Sequence, residues 1–112
     1  MAYGRDGYRE MVGRNCRLAR LLGDRIKASK DFELLAPVHL NIVCFALREG
    51  EEDRRDRFLG ELGRHGRVYL TPTVLGERPA VRAAFSNWST GEEDLAVVWA
   101  ALRDAVTKVP EG

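Results

Sequence analysis

At 112 residues the chain suits one domain, able to bury roughly two thirds of its unfolded surface and to hold a core without metal or disulfide. A formal net charge of +1, with 45% hydrophobic and 31% charged residues, is ordinary for a globular protein and gives no pull toward nucleic acid or an anionic membrane. No apolar run nears the length of a membrane span, and the first residues lead into no signal-peptide core, so a cytoplasmic protein is expected.

The first predicted element is a helix. Tyr8, Val12, Asn15, Ala19, Leu22 and Ile26 step along one face of a 3.6-residue period, widened by Met11, Leu18 and Leu21. Arg9, Arg14, Arg17, Arg20, Arg25 and Lys27 fall on the other side. The basic run, eight Arg/Lys against three acids in the first thirty residues, therefore reads as a solvated helix face rather than a nucleic-acid groove, since no aromatics interleave with it. Two strands follow, at 32–35 before Pro37 and at 40–47. In the second, Ile42, Cys44 and Ala46 point one way and Val43, Phe45 and Leu47 the other, which predicts a strand covered on both sides in the complete molecule.

Residues 51–65 predict a second helix with Phe58, Leu59 and Leu62 inside and acidic residues outside. Gly60, Gly63 and Gly66 come late in that pattern, so they read as a helix end with Gly66 as cap, not as a phosphate-cradling loop. Strands at 68–75 and 80–86 flank Gly76-Glu77-Arg78-Pro79 as a hairpin. Thr90 and Glu93 form a capping box for a last helix with Leu95, Val98, Trp99, Leu102 and Val106 on one face, ended by Pro110. The fold class is α+β: a two-layer sandwich of about four mainly antiparallel strands with three helices on one face, in the order α-β-β-α-β-β-α, over residues 1–112 as a single domain.

Such a sandwich leaves one sheet face bare. Val81, Ala83 and Phe85 are expected to meet the helices, while Ala80, Arg82, Ala84 and Ser86 share the bare face with Tyr69, Thr71 and Thr73 or their alternates. Arg82 thus stands over a floor of small residues. It is either a plain solvent-facing strand residue or a guanidinium fork placed to clamp a carboxylate or phosphate. Cys16 and Cys44 read as reduced, buried, small hydrophobes. His39 and His65 read as structural or exposed, with no catalytic triad and no metal site in sight. The Asn87-Trp88-Ser89 sequon carries no weight without a secretory signal.

Four segments, "GRDGYREMVGRNCRLARLLGDRI", "FELLAPVHLNIVCFAL", "GRVYLTPTVL" and "PAVRAAFSNWSTGEEDLAVVWAALRDA", together resemble the carboxy-terminal domain of the group II pyridoxal-phosphate-dependent amino-acid decarboxylases, the family of the aromatic-amino-acid, histidine and glutamate enzymes. The resemblance covers nearly the whole chain. It implies the small domain of a fold-type I carboxy-lyase, packed against a large cofactor-binding domain in a homodimer. Position 82 falls where glutamate decarboxylases carry an Arg that meets a substrate carboxylate, so Arg82 is the expected substrate-binding residue. The family's cofactor lysine follows a His, whereas Lys27, Lys30 and Lys108 do not. Hence no catalytic residue, no bound pyridoxal phosphate and no activity are expected of this chain alone. The large domain is expected to come from elsewhere, and the substrate amino acid stays open. The alternative is a stand-alone protein-interaction or self-association module that uses the bare face.

Overall fold

The computed structural model describes residues 5–48, 52–62, 68–85 and 92–109, with side chains from residue 13 onward. In chain order the elements are α1 (Arg5–Ala28), β1 (Phe32–Leu34), β2 (Ile42–Leu47), α2 (Glu52–Leu62), β3 (Val68–Leu75), β4 (Arg78–Phe85) and α3 (Glu92–Thr107). This is the expected α+β order. The strands form one antiparallel sheet in the order β1-β2-β4-β3.

Side-chain alternation along the strands sets the layers. Val43 and Phe45 of β2, and Val81, Ala83 and Phe85 of β4, are buried in one core with Leu18, Ala19, Leu22 and Ile26 of α1. Phe58 and Leu62 of α2 and Leu95, Val98 and Leu102 of α3 complete it. Helix α1 packs on β1, β2 and β4, helix α2 on β3 and β4, and α3 rests on α1 and α2. Phe32 ties the edge strand into this core. Its ring lies 5.5 Å from Phe45, 5.7 Å from Phe58 and 5.9 Å from Trp99, centroid to centroid, within the range of favourable aromatic pairs.

The hairpin is tighter than expected. Its link is Gly76-Glu77 alone, with φ of 58° and 70°, the two positive values of a type I′ turn. Arg78 and Pro79 belong to β4, opposite Leu75 and Val74. Pro79 is tolerated there because β2 pairs with β4 only as far as Val81, so its missing N–H breaks no ladder bond. The preceding strand is shorter than expected, since Leu40 sits at φ 53° in a turn closed by mutual backbone bonds between His39 and Ile42. Strand β1 likewise stops at Leu34. His65, Gly63, Gly66, Ser86, the sequon, Thr90, Pro110 and the first turns' Tyr8, Met11 and Val12 side chains lie outside the described residues.

Cys16 and Cys44 correct an expectation. Both are half-buried rather than buried, and among the described residues no helix lies over the Cys44 face of β2. Asn15, on the inner face of α1, is only 4% exposed, and its Oδ1 is buried without a hydrogen-bond donor among the described residues. A buried acceptor left unsatisfied costs about 1–3 kcal/mol. Asn15→Leu, near in shape and without the carbonyl, should therefore raise stability by about 1 kcal/mol in urea unfolding. Among the described residues no helix is long and apolar enough to cross a membrane.

Candidate functional site

The sheet face away from the helices is built by parity and register. Cys44, Arg82 and Thr71 form one row across β2, β4 and β3, and Ile42, Ala84 and Tyr69 form the next. Arg82 and Thr71 are exposed, Ile42, Cys44 and Ala84 are half-buried, and Tyr69 is 62% exposed. No described element lies across these rows. Among the described residues Arg82 has no carboxylate within ion-pairing distance. It is a planar fork beside a thiol, a methyl floor and a hydroxyl, geometry suited to a two-pronged contact with a carboxylate or phosphate.

The other end of this face is closed, which the sequence reading missed. Arg78 has the same parity as Arg82, and its side chain crosses from β4 to β1. Nη1 donates to Glu33 Oε2 at 2.9 Å, and Nη2 donates to the Leu47 carbonyl at 3.0 Å. Ala46 and Ala80, on the face expected to be bare, are 1% and 0% exposed. Arg78 therefore already has its anion, and Arg82 does not. The signal was available: with a two-residue turn, positions 78, 80, 82 and 84 share one side.

Beneath the hairpin lies a second arginine not anticipated. Arg55 of α2 is 6% exposed. Its Nη1 donates to the Thr73 carbonyl at 2.6 Å and to the Ala80 carbonyl at 3.2 Å. Its Nε donates to Asp56 Oδ1 at 2.9 Å, and Nη2 lies 3.7 Å from Glu52 Oε1. Thr73 and Ala80 face each other across β3 and β4, so one guanidinium fastens both hairpin strands to α2, two residues from Arg82. The i, i+3, i+4, i+7 spacing of Arg55, Phe58, Leu59 and Leu62 was its mark in the sequence.

The lysines of the chain are Lys27, Lys30 and Lys108. All three are exposed, on the α1 helix, the link after it and the end of α3, away from the Arg82 face. Lys108 bonds Asp104, 3.1 Å away, and that hydrogen bond and charge raise its pKa. His39 is exposed in the turn before β2. Among the described residues no group of three or more His, Cys, Asp or Glu side chains could hold a metal ion.

Fold and face together define a class: an α+β domain whose open sheet face carries Arg82, without an ion-pair partner among the described residues. Comparison with known proteins makes this specific. An aromatic-L-amino-acid decarboxylase of Drosophila melanogaster is 27% identical over 109 residues, covering 97% of this chain and 21% of that protein. Tyrosine, histidine and tryptophan decarboxylases are further relatives. The tryptophan decarboxylase of Catharanthus roseus, solved in complex with L-tryptophan, superposes with a TM-score of 0.83 at 23% identity, over 97% of this chain and 24% of that one. An Oryza sativa TDC solved with PLP and tryptamine gives 0.81 at 22% identity, over 96% of this chain and 25% of that one. At such identity the structural likeness is one of fold. No protein-family model matches the chain. The sequence relatives are thus amino-acid decarboxylases, and the chain spans about a fifth of the length of the curated relatives it matches, as a carboxy-terminal domain would.

Proposed function

We propose that this chain is the small carboxy-terminal domain of a pyridoxal-phosphate-dependent amino-acid decarboxylase, and that its open sheet face forms one wall of the active site. Arg82 presents its guanidinium to a substrate carboxylate. The cofactor and its lysine belong to a large domain packed on that face, in a homodimer of fold type I. The observation that carries the reading is the contrast between two arginines of one strand. Arg78 is neutralised by Glu33 within the domain, whereas Arg82, beside half-buried Ile42, Cys44 and Ala84, has no ion-pair partner among the described residues. A free fork over partly sheltered apolar residues fits a face that another body covers. The decarboxylase relatives supply the chemistry of that body.

Two measurements test this. The coding sequence adjoining this segment should continue in frame into a large domain with a His-Lys pair. The chain by itself should show no stoichiometric uptake of pyridoxal phosphate in absorbance titration, because its lysines lie away from the Arg82 face. A saturable band lost on changing one lysine would overturn the division of labour. A discrete dimer buried on the Arg82 face, with no large domain adjoining, would instead favour a self-association module, a reading the exposed Tyr69 and Leu75 (62% and 40%) would then serve.

A further inference from the structure

The helix side of the domain carries a second feature, independent of the sheet face. Arg25 at the end of α1, Ser29, Lys30 and Asp31 in the link to β1, and Trp99 and Arg103 on α3 line an open cavity of about 520 Å³, a volume in the small-molecule range. We propose that this notch binds a small aromatic phosphate monoester, of the nucleoside monophosphate kind.

Charge is the first argument. Three cationic side chains meet one carboxylate here, and the three come from separate segments that only the tertiary fold brings together. Among the described residues none of Arg25, Lys30 and Arg103 has an ion-pair partner, while Arg48, Arg55, Arg57, Arg78 and Lys108 each have one. Gathering like charges is unfavourable until an anion joins them. Two guanidinium forks and an ammonium offer more donors than a single carboxylate accepts. A phosphate monoester, with three terminal oxygens and a charge near −2 at neutral pH, matches them.

The indole is the second argument. Trp99 is half-buried, and Phe32 braces it, the rings 5.9 Å apart and inclined at 57°. A Trp held in place at the edge of a cationic notch is a stacking platform for a planar ring. One feature opposes an anion: the carbonyl end of α1, whose dipole is negative there. Arg48 offsets it by donating Nε and Nη2 to the Ser29 carbonyl, at 3.4 and 3.3 Å.

The test uses the Trp88→Phe chain, in which Trp99 is the sole indole of the two in the sequence. Titration with AMP should quench Trp99 fluorescence saturably at one site, with a Kd below about 1 mM. Adenosine and inorganic phosphate, each lacking half of the recognition, should bind at least about tenfold more weakly. Arg25→Ala with Arg103→Ala should cost at least about tenfold, while Arg17→Ala with Arg20→Ala, an equal loss of charge elsewhere on α1, should leave the Kd unchanged. Calorimetry on the unaltered chain reads the same constants if Trp88→Phe does not fold. No saturation up to about 10 mM AMP, or equal weakening by the control pair, would overturn the site. So would affinity for single-stranded oligonucleotides that grows with length and falls with the Arg17 and Arg20 changes, which would make the helix face a nucleic-acid surface. The notch and the Arg82 face lie on opposite layers, so either assignment stands or falls alone.

Discussion

Arg82→Ala, made in a complete enzyme that carries this domain, should cut catalytic efficiency by roughly 30- to several-thousand-fold while leaving the domain's stability nearly untouched. The first half follows from the proposed setting. A guanidinium enclosed between this face and a large domain, paired with a substrate carboxylate, is a buried charged pair, and removing one partner costs on the order of 2–5 kcal/mol, which converts to that range of rate. The second half follows from the domain itself. Arg82 is exposed and makes no hydrogen bond or ion pair among the described residues, and the core takes Val81 and Ala83 on either side of it. Its loss should then change the unfolding free energy by no more than about 0.5 kcal/mol. Arg82→Lys should restore only part of the activity, because an ammonium cannot copy the planar two-pronged contact. Turnover of the complete enzyme and thermal unfolding of the chain, measured on the same variants, separate the two halves. Unchanged turnover removes Arg82 from the site. A large loss of stability makes it a structural residue instead.

Most of the fold was legible because most of it rests on periodicity. The α1 stripe through Asn15, Ala19, Leu22 and Ile26 is buried, and the alternation of β2 put Val43, Phe45 and Leu47 in the core. The site was legible as far as parity carries. Val81, Ala83 and Phe85 inward put Arg82 outward, and the sheet obeys. What parity could not decide was the turn. Reading four residues of link instead of Gly76-Glu77 left Arg78 in a loop, where its bridge to Glu33 and its closure of one end of the bare face were out of reach. Hydropathy hid Arg55 for a different reason. An arginine at a core-facing helix position looks like noise in an apolar stripe, and only the tertiary structure brings it to the hairpin carbonyls of Thr73 and Ala80. Partner choice for a guanidinium depends on groups far apart in sequence, so Arg55, Arg78 and Arg82, alike on paper, divide into a strut, a closed bridge and a free fork.

That division predicts opposite behaviour for Arg55. Arg55→Ala should destabilise the chain by about 2–4 kcal/mol, since it removes the guanidinium's hydrogen bonds to Thr73 and Ala80, and hydrogen bonds from a charged donor are worth about 1.5–3 kcal/mol each. Helix propensity works the other way by only a few tenths of a kcal/mol, Ala being the better former, so the hydrogen bonds decide the sign. The paired acids add little to the loss: Glu52 and Asp56 are 73% and 55% exposed at the side chain, and water takes over their solvation. Arg55→Lys should recover a minority of the stability, because one ammonium is too short and too compact to hold Thr73 and Ala80 together while facing Asp56. The damage should also be local. Hydrogen exchange should quicken first at the β3–β4 hairpin, whose outer strand is held by α2 on one side and by β4 alone on the other, and more slowly across β1 and β2. In the complete enzyme the variant should lose activity through a misplaced Arg82 in proportion to that loosening, with KM rising at least as much as kcat falls, as expected when a positioned binding group drifts. Unfolding within about 0.5 kcal/mol of the unaltered chain would show that the ladder between β3 and β4 holds the hairpin in place without the strut.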